Sequence, residues 1–126
     1  MKKVEKIIIQ TMVLKEESFK RIHVGSRTYL LTKDIVMVCA DINYSCIHLN
    51  NGKRITVSIN IQKLEERFLP FLNMVRVHRS YMINTRYLQH LEGSCAKLTN
   101  NLECTISRRK MSNLRMIIQT EENIER

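Results

Sequence analysis

The dipeptide Asn51-Gly52 sits between two runs of alternating apolar and polar residues, 44–49 and 53–58. Asn and Gly both tolerate the positive φ that a type I′ turn imposes on its two central residues, so the pair predicts a tight β-hairpin. A period of two sends successive side chains to opposite faces of a sheet. The same period recurs over 7–14, 19–24, 27–31 and 34–40, with Gly25-Ser26 as punctuation. Strands are expected again at 75–77, 87–91, 96–98 and 102–106, with Asn100-Asn101 turning between the last two. A chain so patterned is mainly β.

Two segments break the pattern. From 60 to 69 the period lengthens, with Ile61, Leu64 and Phe68 at helical spacing, Asn60 placed as a cap and Pro70 blocking continuation. This predicts one short helix on a sheet. From 107 to 119, Met111, Leu114 and Ile118 share one face behind Ser107, a residue suited to an N-cap, which predicts a C-terminal helix. Residues 119–126 read as a polar tail, and residues 1–18 as an N-terminal extension, an extra strand or a segment used for association. The 126 residues suit one domain, and 44% hydrophobic content is enough for its core.

The charge narrows the partners. Lys and Arg number 21 and Asp and Glu 12, so 21 − 12 = +9, with a sequence pI near 9.7. Nucleic acid, an anionic membrane or an acidic protein are the partner classes this favours. No apolar stretch approaches the roughly 18 residues of a membrane span. The start, Met1-Lys2-Lys3-Val4-Glu5-Lys6 followed only by Ile7-Ile8-Ile9, does not read as a signal peptide. Cys39, Cys46, Cys95 and Cys104 lack the spacing of a zinc ribbon or a redox CxxC, and three of them lie in apolar or alternating runs. A cytoplasmic protein with reduced thiols is expected.

Three stretches concentrate recognition chemistry. In Arg76-Val77-His78-Arg79-Ser80-Tyr81-Met82-Ile83-Asn84, cations alternate with apolar residues able to anchor them, which reads as an exposed loop leading into a strand. Arginine presents a planar fork that binds a phosphate or the O6/N7 edge of guanine through two hydrogen bonds, a geometry lysine cannot mimic. Arg108, Arg109 and Lys110 fall in the first turn of the C-terminal helix, where each cation opposes the helix dipole at a cost of ~0.3–1 kcal/mol, and an anionic ligand would reverse that. The plainer reading, long side chains reaching solvent, stands at even odds for this cluster taken alone. The loop Asp41-Ile42-Asn43-Tyr44 offers uncharged donors and acceptors, although an ordinary Asx turn would also explain it.

Other chemistries find little material. His23, His48, His78 and His90 show no metal-ligand spacing with one another or with the cysteines, so no metal is expected. With three glycines, no phosphate-cradling loop and no nucleophile elbow, neither an enzyme nor a cofactor is expected. The four tyrosines are dispersed and the seven methionines suit core packing better than a ligand surface.

Taken in order, Lys33-Asp34-Ile35-Val36, Asn43-Tyr44, Asn51-Gly52, Leu64-Glu65, the run from Val75 to Asn84, and Ile106-Ser107-Arg108 resemble the LytTR-type DNA-binding domain over about residues 19–118. The resemblance implies an elongated fold of antiparallel sheets in which loops, rather than a recognition helix, enter successive major grooves of duplex DNA. It implies a bacterial transcription regulator, acting as the output domain of a response regulator. Carried over by position, Asn43, Tyr44, Arg79 and Arg108 are expected to read base edges. Ser80, Arg109 and Lys110 are expected on the phosphate backbone, with Arg76 and His78 in the same DNA-binding set. Two positions depart from the family: Met74 stands where an aromatic is common, and Ile42 replaces a small or polar residue before Asn-Tyr.

LytTR domains usually follow a receiver domain, for which 126 residues leave no room, so a standalone domain is expected, controlled from elsewhere. The expected partner is double-stranded DNA at repeated sites, bound by two copies or a homodimer, with a membrane-bound regulatory partner as a further candidate. The alternative from another class is a protein-interaction module governed by a membrane or acidic partner; RNA binding is a third reading, and it predicts retention on structured RNA over duplex DNA.

Overall fold

The alternating runs form strands. The computed structural model describes residues 21–25 and 27–125. In chain order these give β1 (Arg21–Gly25), β2 (Thr28–Leu31), β3 (Ile35–Asp41), β4 (Tyr44–Leu49), β5 (Arg54–Val57), helix α1 (Ile61–Arg67), β6 (Met74–His78), β7 (Tyr81–Asn84), β8 (Leu88–Glu92), β9 (Cys95–Leu98), β10 (Glu103–Thr105) and helix α2 (Arg108–Glu125). The expected extension 1–18, with its strand at 7–14, lies outside the described residues.

Strands β5-β4-β3-β7-β6 form the central sheet, β10-β9-β8 a second and β1-β2 a third, all paired antiparallel. Period-two alternation divides the central sheet between two cores. Val38, Ile47, Val57, Met74 and Met82 pack on one face with Ile61, Leu64 and Phe68 of the α1 segment. Val75, Val77 and Ile83 pack on the other with Ala96, Leu98, Ile106 and Leu114. Full burial of each such side chain contributes about 1.5–3 kcal/mol, so both faces hold the sheet. β3 shows how strict the rule is: Val36 and Met37 both enter the second core, and the β3–β4 register slips between Ile35 and Met37 to allow it.

The two asparagine turns differ, and the first departs from the expected type. At Asn51-Gly52 only Gly52 has positive φ (+88°), and Gly52 N–H donates to Leu49 O while Leu49 N–H donates to Lys53 O. This is a three-residue loop, Asn50-Asn51-Gly52, closed by a glycine bulge, not the expected two-residue type I′ turn. Asn51 forgoes positive φ and uses its side chain instead, accepting from Lys53 N–H at 2.9 Å. Both residues of Asn100-Asn101 take the left-handed region, at φ +65° and +60°, as type I′ demands.

Helix α1 is capped as expected, Asn60 Oδ1 accepting from Lys63 N–H at 2.9 Å. Helix α2 is longer than expected. The residues read as a polar tail, 119–126, are helical as far as Glu125, because no proline or glycine interrupts the backbone there.

Candidate nucleic-acid interface

Two backbone hydrogen bonds gather three segments that are remote in sequence. β3 and β7 are neighbours, with Cys39 opposite Tyr81, and one residue further on Ala40 N–H donates to Ser80 O at 2.8 Å. This sets the β3–β4 tip beside the β6–β7 tip. Val77 O, at the end of β6, accepts from Ser107 N–H at 2.8 Å, which brings the start of α2 to the same end of the sheet. The sheet therefore fixes the mutual positions of Asn43, Arg79 and Arg108.

The β6–β7 loop is shaped by Arg76. Alternation puts Arg76 on the same face as Met74, under α1, and its guanidinium meets Glu65 of that helix, Nη1 to Oε1 at 2.9 Å. Nε donates to His78 O at 2.8 Å and Nη2 donates to Arg79 O. The Arg76 side chain is 15% exposed. Arg76, expected in the DNA-binding set, thus has three donors engaged within the protein, two on the loop and one on Glu65. His78 is likewise turned into the loop, with Nδ1 accepting from Ser80 N–H at 3.0 Å and its ring 5.3 Å from that of Tyr81. Arg79, between them, is exposed, and its side chain makes no hydrogen bond or ion pair among the described residues.

Ser107 occupies the cap position of α2, and its carbonyl accepts from Lys110 N–H at 3.0 Å. Arg108 and Arg109 are exposed. A cleft of about 400 Å³ brings Arg79 of the loop together with Arg109 and Lys110 of α2, beside Glu65, Arg76, His78 and Ser107. Four cations face one carboxylate there, and that carboxylate is engaged by Arg76. Such a cleft attracts an anion. Arg108 does not line it.

The β3–β4 connection is tighter than the expected four-residue loop, because Asp41 and Tyr44 pair across the strands and leave only Ile42-Asn43 to turn. Asn43 and Tyr44 are exposed, as their expected role needs. Ile42 is 88% exposed with φ +52°. A β-branched residue in that region is a steric outlier, at a cost of about 1–3 kcal/mol.

The reading of the sequence left Glu65 and Ile42 out of the site. Glu65 had a signal: an arginine whose strand neighbours point into core, on the face that an amphipathic helix covers, needs an acid on that helix. Ile42 had only its mismatch with the residues around it.

Nucleophilic chemistry has little support. Burial, and then neighbouring Cys46, push the Cys39 thiol up to about 11. Burial, followed by Cys39 and Cys95, pushes Cys104 up to about 12. Both thiols are protonated at neutral pH and weakly reactive. Among the described residues all four cysteines are free, no cluster of His, Cys, Asp and Glu can hold a metal, and no helix is long and apolar enough to cross a membrane.

The chain matches the model of the LytTr DNA-binding domain over residues 25–119. Among solved structures it resembles the LytTr DNA-binding domain of a protein described as a methyl-accepting/DNA response regulator from Bacillus cereus, with a TM-score of 0.61 and 15% identity, covering 79% of this chain and 94% of that one. No curated protein matches the sequence.

Proposed function

Because the chain belongs to the LytTr DNA-binding domain family, we propose that it is a transcription regulator that reads duplex DNA through the β3–β4 tip, the β6–β7 tip and the start of α2, each entering a major groove. The observation that supports this best is the pair of backbone hydrogen bonds, Ala40 to Ser80 and Ser107 to Val77, that holds all three at one end of the central sheet. Asn43, Tyr44, Arg79 and Arg108 supply groups for base edges. Ser80, Arg109 and Lys110 face the phosphate backbone, and the cleft that Arg109 and Lys110 share with Arg79 concentrates the cations that make binding salt-dependent. If about six phosphates are neutralised, log K falls against log salt with a slope near −5, at ~0.9 per phosphate. Two copies on a repeated site would double the number of bases read.

Selection of bound duplexes from a random pool at about 150 mM salt tests this, because non-specific contacts are weak there. A recurring motif, spaced as a repeat, is expected. Recovery of no motif, with binding that vanishes as salt rises, would leave only a basic surface.

A further inference from the structure

Four non-glycine residues have positive φ among the described residues: Arg27, Ile42, Asn100 and Asn101. The two asparagines are residues that tolerate this region, and only Ile42 is β-branched. Ile42 is also 88% exposed, the most exposed of the large apolar side chains among the described residues, so it adds almost nothing to either core. The fold thus carries a strained backbone and an unburied isobutyl-sized side chain at one position, with no return in stability. That position is the apex of a two-residue turn, set by the Ala40–Ser80 hydrogen bond at the same end of the sheet as Arg79.

We propose that Ile42 is a specificity-determining residue that reads the C5-methyl group of a thymine in the major groove. The inference rests on the loop-in-groove reading above and deepens it at the first loop. The thymine methyl is the one apolar group a base pair shows in that groove, and aliphatic side chains are its natural partner. A guanidinium or amide at the apex would seek a base edge; an aliphatic group gains only by removing a methyl and itself from water. With φ at +52° the side chain stands exposed at the tip. Asn43, next in the chain and exposed, then has the neighbouring base edge within its reach.

The test uses the duplex recovered by selection. Each thymine is replaced in turn by deoxyuridine, which removes the methyl and leaves every hydrogen-bonding group in place. Affinity is measured for the wild-type chain and for Ile42→Asn, and thermal unfolding is followed for both. One or two positions are expected at which loss of the methyl weakens wild-type binding roughly 3–10-fold and leaves the variant unchanged. The variant is expected to melt roughly 2–6 °C higher, because asparagine accepts the left-handed region. A selected motif without thymine, or one in which no uracil substitution separates the two proteins, overturns the inference and leaves the DNA reading intact. A variant that melts several degrees lower overturns it too, since Ile42 would then be holding the fold. Recovery of no motif overturns both.

Discussion

The two ends of the central sheet treat polar side chains in opposite ways. Where β3 begins, Asn84 is fully buried and its amide is saturated. Nδ2 donates to Thr32 O at 3.1 Å and to Ile35 O at 2.9 Å, while Oδ1 accepts from Asn73 Nδ2 at 2.9 Å and from Arg86 N–H at 3.0 Å. Around it the Tyr87 hydroxyl donates to Lys33 O, Asn50 Nδ2 donates to that hydroxyl at 3.1 Å, and Asn100 Nδ2 donates to Asn50 O at 3.2 Å. Where β3 ends, the side chains of Arg79, Arg108 and Arg109 make no hydrogen bond or ion pair among the described residues, and Ile42 stands in solvent. A buried polar group left unpaired costs about 1–3 kcal/mol, whereas an exposed guanidinium is satisfied by water. Apart from the buried Thr32 Oγ1, which has no hydrogen-bond partner, the closed end completes its bonds within the fold, and the open end is free to be completed by something else.

The largest effect is expected at the closed end. Asn84→Ala strands two carbonyls, the Asn73 amide and the Arg86 N–H, and should lower stability by roughly 3–5 kcal/mol in denaturant unfolding. The protein that remains folded should select the same DNA motif. A small loss, or a changed motif, would erase the distinction between the ends.

Arg79→Ala should do the reverse. Unfolding is expected to stay within about 0.5 kcal/mol of wild type, because the side chain touches nothing that the fold needs. Discrimination at one base should fall by about 1–3 kcal/mol, read from affinities for the selected duplex and its single-base variants. Arg108→Ala should behave alike at a different base. Loss of stability in either variant, with the base preference kept, would place that arginine with Arg76.

Arg79 and Asn84 belong to one nine-residue run, and this shows where the sequence was legible. Periodicity was enough for most of the strands, their faces and the amphipathic helices, because burial enforces it along the chain except at a bulge such as the one at Val36 and Met37. The run itself was recognisable as a unit, but its members serve three different purposes. Arg79 is exposed, Arg76 and His78 bend the loop, and Asn84 closes the far end of the sheet. Which purpose each serves depends on partners distant in sequence, Glu65 for Arg76 and Thr32 for Asn84, which no local pattern encodes. The departure of the Asn51-Gly52 turn from type I′ has the same cause. Asn50 is hydrogen-bonded to Asp34, Tyr87 and Asn100, and that docking accompanies a three-residue loop where the dipeptide alone favours two.

Glu65→Ala probes what shapes the open end, since it leaves the tip residues in place and removes the counter-charge of Arg76. A loss of about 1 kcal/mol in stability is expected, because a mostly buried guanidinium loses its counter-charge. Selectivity at the base read by Arg79 should fall several-fold while the slope of log K against log salt stays constant, since no phosphate contact is lost. Glu65→Gln, which keeps an acceptor for Nη1, should recover part of the selectivity. A variant that only unfolds more easily, with unchanged selectivity, would make Glu65 a purely structural residue.

The smallest effect concerns pH and again belongs to the closed end. His48, opposite Met37 near the start of β3, has its pKa held below 6.5 by burial first and by Arg54 second. Between that lowered value and 6.5 the unfolded chain takes up a proton that the folded chain refuses. The contribution of His48 is therefore fully present above 6.5 and is lost as pH falls through the window. Wild type should lose stability as pH falls below 6.5, and His48→Gln should lose less, in unfolding curves recorded at each pH. Parallel curves for the two proteins would assign the loss to other groups. Selectivity for the chosen duplex should not follow His48, because the ring lies on the strand away from the three tips.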